Sequence, residues 1–168
     1  MKKRIVITGL GTLNAIANNV PDFTRALKEG ICGIDKIDLF DTAGFRSQTG
    51  GQVKNFVLRE YMTENFSTKR MSRADKLALA ATLEALKDAG LYPPPDEIRE
   101  SIGVVIGGGA GGLLEAEEFY GKLLTTGKKT GFSRLSALFC ASSADRIASA
   151  FNFRGPKATF MTACSGGG

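Results

Sequence analysis

The stretch NFRGPKATFMTACSGGG, Asn152–Gly168, decides the fold. Gly155-Pro156 is a turn pair that no helix continues through. The run KATFMTA that follows is short and mostly apolar or β-branched, as a strand ending near Thr162 would be. Composition then changes abruptly to Cys164, Ser165 and three glycines. A cysteine directly after a strand, at the start of a small-residue helix, lies in the field of that helix's N-terminus, which favours thiolate. Backbone N–H groups at the same turn can hold an oxyanion, and glycines leave room for a substrate chain. The same residues also suit a buried small side chain at a packed turn, which is all that many free cysteines are.

Working outward, RIVITGLGTL (Arg4–Leu13) reads as a buried strand running into a turn. VPDFTRALKEG reads as a short helix, with Pro21 in its first turn, Asp22 at its positive end and Gly30 just past its last turn. IDLFDTAGFRSQTGGQV is polar and glycine-bearing, a loop with a short strand near Gln52–Val53. Ser72–Gly90, SRADKLALAATLEALKDAG, is the clearest helix: Ser72 caps it and Leu79, Leu83 and Leu86 form its apolar stripe. YPPPDEIRE is a stiff connector. SIGVVIGGGAGG (Ser101–Gly112) reads as a second buried strand closing in a glycine-rich turn. LLEAEEFYGKLLTTG and SRLSALFCASSADRIASAF each read as helical, the second rich in small residues suited to close packing. Strands alternating with helices predict an α/β layered fold with a largely parallel sheet, and no break suggests two domains.

The chain of 168 residues is long enough for one domain with a real core. It is 43% hydrophobic and 23% charged, ordinary for a soluble protein, and no apolar stretch has the length of a membrane span. The basic start MKKR resembles a signal peptide, but Thr8, Gly9 and Gly11 break the apolar part and no clear cleavage site follows. The three cysteines, Cys32, Cys140 and Cys164, are far apart and lack metal-ligand spacing, which points to a cytoplasmic protein. The chain has no histidine, so it holds no His-based metal site and no complete Cys-His or Ser-His set. A net charge of +5 is compatible with an acidic partner but is not specific for nucleic acid.

Two glycine patterns invite nucleotide chemistry. In ITGLGTL, Gly9 and Gly11 lack the third glycine of the dinucleotide fingerprint, and no acidic residue ends a second strand about 20 residues on. GGGAGG (Gly107–Gly112) lacks the Lys-Ser/Thr of a phosphate loop. It is either a strand-to-helix turn or a pocket wall from which bulk is excluded.

ITGLG, RALKEGICGI, Phe40-Asp41, RMSRADKLALAATLEALKDAGL, IGVVIGGGAGG and NFRGPKATFMTACSGG occur in the order and spacing of the β-ketoacyl-[acyl-carrier-protein] synthases. The chain resembles the elongating type over essentially its whole length. The resemblance implies a thiolase-like fold of two similar α/β halves. Residues 1–168 would be the N-terminal half, inactive alone because the two histidines that complete the Cys-His-His set would lie beyond it. It further implies that Cys164 carries the acyl group as a thioester, with its own backbone N–H in the oxyanion hole. Malonyl on an acyl carrier protein then condenses with that thioester after losing CO₂, without metal or redox cofactor. Gly109, Ala110 and Gly111 would line the acyl pocket, Ala110 standing where relatives often have a bulkier aliphatic residue. Lys69, Arg70, Lys128 and Lys129 align with positions that dock the acidic carrier protein. The strand Lys157–Ala163 would pair with its twin in a homodimer. The segment FSRLSALFCASSADRIASAF departs from the common pattern, so the acyl substrate stays open. Two other readings stand beside this one: a non-catalytic partner akin to a chain-length factor, although such partners typically replace the nucleophile, and a nucleotide-binding short-chain dehydrogenase-like domain resting on ITGLG.

Overall fold

The computed structural model describes residues 4–62, 67–108 and 111–167. Its centre is helix α2 (Arg73–Asp88), which starts where the sequence places it. The Ser72 hydroxyl accepts from the Asp75 N–H at 3.0 Å, and the Asp75 carboxylate accepts from the Ser72 N–H at 2.9 Å. This reciprocal box satisfies two donors that a helix start otherwise leaves unpaired. Leu79, Ala80 and Leu83 are buried, with Leu86 packed against the same core. They meet Ala144, Ile147, Ala148 and Phe151 of helix α5 (Ser142–Phe151), and Leu58, Met71, Val104 and Phe153 complete the cluster.

α5 also covers the central sheet. Strand β3 (Val104–Gly107) runs parallel to β4 (Lys157–Phe160), with Val104 opposite Lys157 and Gly107 opposite Phe160. Helix α4 (Leu113–Thr126), a 3₁₀ segment (Phe132–Leu138) and α5 form the crossover between them. The expected parallel pairing is therefore present, but β3 is buried on one face only. Val104 is 7% exposed and Val105 67%, because among the described residues helices pack against a single side of this two-stranded sheet.

Elsewhere the chain refines the expectations. Helix α1 (Val20–Lys28) has Pro21 in its first turn, Asn19 as its cap and Gly30 just beyond its end. The polar stretch holds an antiparallel pair, β1 (Ile34–Lys36) with β2 (Thr49–Gly51), so the short strand lies just before Gln52–Val53. The connector after Gly90 contains a one-turn helix, α3 (Asp96–Arg99). The segment expected as one helix over 133–151 is split: the 3₁₀ segment ends at Leu138, Phe139 is extended, and α5 restarts at Ser142. β4 ends at Phe160, two residues before the expected end.

The clearest correction lies at Arg4–Leu13. These residues form no strand, and Ile5 and Ile7 are 96% and 82% exposed. A strand needs a neighbour for its backbone groups, and here α2 supplies partners instead. Asp88 accepts from the Leu10 N–H at 2.9 Å, and Glu84 accepts from the N–H groups of Thr12 and Val20 at 2.8 and 2.7 Å. A Cβ on Gly9 would stand 2.2 Å from the Ala85 carbonyl oxygen, and one on Gly11 2.0 Å from that of Ala81. The ITGLG glycines thus serve close packing on a helix, leaving no space there for a pyrophosphate, which removes the basis of the dehydrogenase-like reading.

Candidate functional site: the Cys164 turn and its glycine neighbour

Beyond β4 the chain folds into a 3₁₀ turn, Ala163–Ser165, with Cys164 at its centre and exposed. The Ser165 N–H donates to Thr162 O at 3.2 Å and the Gly166 N–H to Ala163 O at 3.1 Å; the Ser165 hydroxyl also donates to Thr162 O, at 2.9 Å. Among the described residues, no backbone carbonyl accepts from the Cys164 N–H. Ala163 has φ +51°, a left-handed conformation that costs a non-glycine residue about 1–2 kcal/mol. Such strain persists only where surrounding structure imposes it. The expected small-residue helix is here a three-residue turn, so the helix-terminus field assigned to Cys164 has no helix behind it among the described residues.

The imposing neighbour is the end of β3. A Cβ on Gly107 would stand 1.8 Å from the Gly166 carbonyl oxygen and 2.4 Å from its carbon. The Gly108 N–H donates to Phe160 O at 3.0 Å, which anchors the same two segments one residue on. Behind this contact lies a cavity of about 210 Å³. Ala74 and Ala78 of α2, Gly107, Gly108 and Gly111 of the glycine turn, and Phe139 contribute to its wall. Of GGGAGG, Gly107, Gly108 and Gly111 line this cavity, while Gly109 and Ala110 lie outside the described residues. Cys164 is not in the wall but adjoins it through the Gly107–Gly166 contact.

The basic residues fall into two separate places. Lys69 and Arg70 are exposed on the turn before α2; Lys128 and Lys129 are exposed just after α4. The Arg73 N–H at the start of α2 donates to Glu115 in the first turn of α4 at 3.0 Å. Lys69 and Arg70 thus flank the start of α4, while Lys128 and Lys129 follow its end, on the order of 20 Å away at the rise of an α-helix. The structure does not merge them into one patch. Along Lys157–Ala163, β4 pairs with β3 on one edge; Phe160 and Met161 are 54% and 44% exposed.

Two features escaped the sequence reading. Cys140, seen there only as a spacing problem, lines the cavity. Asp75 is buried beside it and accepts hydrogen bonds from Ser142 and Ser143. The S-x-x-D spacing of Ser72 and Asp75 signals the helix cap, but nothing local signals the two distant serines.

Among the described residues, no helix is long and apolar enough to cross a membrane. The profile of the family described as "Beta-ketoacyl synthase, N-terminal domain" matches residues 2–167. The chain is 33% identical over 171 residues to the 3-oxoacyl-[acyl-carrier-protein] synthase 2 of Vibrio harveyi, a match covering 99% of this chain and 40% of that protein. Among solved structures, it is similar to the ishigamide ketosynthase/chain length factor, with a TM-score of 0.85 and 26% identity over 95% of this chain and 40% of the other. A type II PKS ketosynthase bound to the hexaketide, in complex with its acyl-carrier protein, shares the fold, with a TM-score of 0.65 at 19% identity over 96% of this chain and 44% of the other. The chain thus spans about 40% of the length of such relatives, and its fold is the N-terminal part of a thiolase-like ketosynthase. With a profile match running from end to end, this chain belongs to the β-ketoacyl synthase family.

Proposed function

We propose that this chain is the nucleophile-bearing half of a decarboxylative condensing enzyme, with Cys164 as the acyl carrier. The single observation that carries the reading is the exposed Cys164 on a strained turn whose Gly166 packs against Gly107, itself part of a cavity wall. The Cys164 thiolate attacks the thioester carbonyl of an acyl chain borne on acyl carrier protein. The oxyanion that forms is met by the Cys164 N–H, and the pantetheine thiolate leaves, so one thioester replaces another. Malonyl on a second carrier protein loses CO₂, and the electron pair left on carbon attacks the Cys164 thioester. The β-ketoacyl chain departs on the carrier and the thiolate is restored. This sequence calls for no metal or redox cofactor; phosphopantetheine arrives with the carrier protein.

The histidines that would assist decarboxylation are absent from these 168 residues, so the complete protein must supply them. Acyl carrier protein is the expected partner, with Lys69 and Arg70 on one side and Lys128 and Lys129 on the other steering its acidic surface. The solved ketosynthase with its acyl-carrier protein supports that pairing. Gly109, Ala110 and Gly111 would bound the acyl chain. The complete protein would be a cytoplasmic homodimer joined along Lys157–Ala163, which would cover an edge that natural sheets avoid leaving open. The similarity to a ketosynthase/chain length factor also raises the non-catalytic partner; retention of a cysteine at the turn favours the synthase.

Intact-mass measurement after incubation of the complete protein with acyl carrier thioester tests the reading. One acyl group should appear, on a peptide containing Cys164 and not on Cys32 or Cys140, and Cys164→Ala should abolish it. Undiminished condensation by Cys164→Ala would overturn the assignment.

A further inference from the structure

Asp75 is 1% exposed, and three donors converge on its carboxylate. The Ser72 N–H at 2.9 Å and the Ser142 hydroxyl at 3.0 Å reach Oδ2, and the Ser143 hydroxyl at 2.7 Å reaches Oδ1. Burying a carboxylate is costly unless its charge is met. No cation pairs with Asp75 among the described residues; instead it sits at the positive ends of two helices. It is in the first turn of α2, and it faces Ser142 and Ser143, the first residues of α5.

The Ser72–Asp75 box alone would cap α2, and a half-exposed carboxylate would do so at less cost. The bonds to Ser142 and Ser143, 67 and 68 residues away, do something else. α5 has no side-chain cap of its own, and Asp75 pins its first turn to α2. Both elements contribute to the cavity wall, with Phe139 and Cys140 entering it just before α5. A displacement of the first turn of α5 would carry Phe139 with it.

We infer that Asp75 is a positioning residue that sets the width of this cavity, and so decides which acyl chains the Cys164 thioester can carry, by holding α5 against α2. It makes no bond to substrate. The inference rests on the condensing-enzyme reading above.

The test compares hexanoyl and dodecanoyl carrier thioesters on the complete protein. In Ser142→Ala with Ser143→Ala, the reciprocal cap of α2 survives but the tie to α5 is lost. The kcat/KM preference for the favoured chain over the other should fall about tenfold, the scale of one hydrogen bond to a charged acceptor. Asp75→Asn keeps the shape and an acceptor oxygen, and a hydroxyl can turn to accept from its amide, so it should retain most of that preference. A preference unaltered in the serine pair overturns the inference. So does an equal loss at both chain lengths accompanied by a lower Tm, since that is the mark of a purely structural tie. Should the pair fail to fold, Ser143→Ala alone serves, with an expected change of about threefold. If the wild type is not acylated at Cys164, the functional reading falls and takes this inference with it. An acylated wild type with an unaltered preference in the variant removes the inference alone.

Discussion

Replacing Gly107 with alanine would set a methyl group 1.8 Å from the Gly166 carbonyl oxygen, 2.4 Å from its carbon and 3.0 Å from the Gly167 nitrogen. All three are backbone atoms, so no side chain can rotate aside. Real Cβ contacts essentially never fall under 3.0 Å, so moving from 1.8 to 3.0 Å requires a shift of at least 1.2 Å. β3 cannot supply much of it, because the Gly107–Phe160 register and the Gly108 N–H bond to Phe160 hold it to β4. The turn carrying Cys164 must give. Overpacking of this kind costs about 1–3 kcal/mol in stability. For chemistry the larger effect is geometric, since a misplacement of about 1 Å can cost on the order of 100-fold in rate. The expected result in the complete protein is a drop of that order in the single-turnover rate of Cys164 acylation, read by quenched intact mass, with the fold retained. Gly121→Ala is the control: it lies in α4, its Cβ would meet nothing within 4 Å, and it should raise stability by about 0.5–1 kcal/mol. Acylation of Gly107→Ala at the wild-type rate would refute the claim that this contact positions Cys164.

Reversing charge at Lys128 and Lys129 (both to Glu) should lower kcat/KM for acyl carrier protein while nearly sparing a small acyl-pantetheine thioester, most strongly at low salt, where the screening length grows from about 10 Å at 0.1 M to 30 Å at 0.01 M. Equal losses on both substrates would make these lysines structural. Because Lys69 and Arg70 lie about one α4 length away, reversing them as well should add to the effect, as distant sites do; marked non-additivity would mean that both pairs touch one small feature of the carrier. Asp35 accepts a hydrogen bond from Lys54, which, with the Lys36 N–H and the Lys54 charge, holds its carboxyl below the ordinary 3.8. With the folded value lowered, the stability this pair adds is present above pH 3.8 and is lost as acid protonates Asp35 below it. An NMR titration should show the low value, and Lys54→Met should return it towards 3.8; an unchanged titration in that variant would dismiss the pair as the cause.

Much of the frame is legible in the residues because it rests on neighbours a few positions apart. Ser72 with Asp75 announces the start of α2, Leu79 and Leu83 its buried face, and Pro21 the start of α1; each is an interaction within about one helical turn. The Gly155-Pro156 turn and the short strand that runs towards Cys164 are likewise legible in local composition. Other features depend on partners that no local pattern names. Arg4–Leu13 has the composition of a strand, yet a strand exists only with a neighbouring ladder, and its backbone turns instead to Glu84 and Asp88. The break at Phe139–Ala141 is invisible in a helix-forming run, and α5 restarts where Ser142 and Ser143 meet a carboxylate nearly seventy positions back. Cys164 could be picked out by its place in the chain. The conformation of its turn was decided by Gly107, a residue 57 positions earlier brought within contact of Gly166 by parallel strand pairing. Sequence spacing encodes what adjacent residues do to one another; packing across the fold decides the rest, because those contacts exist only once the strands and helices are assembled.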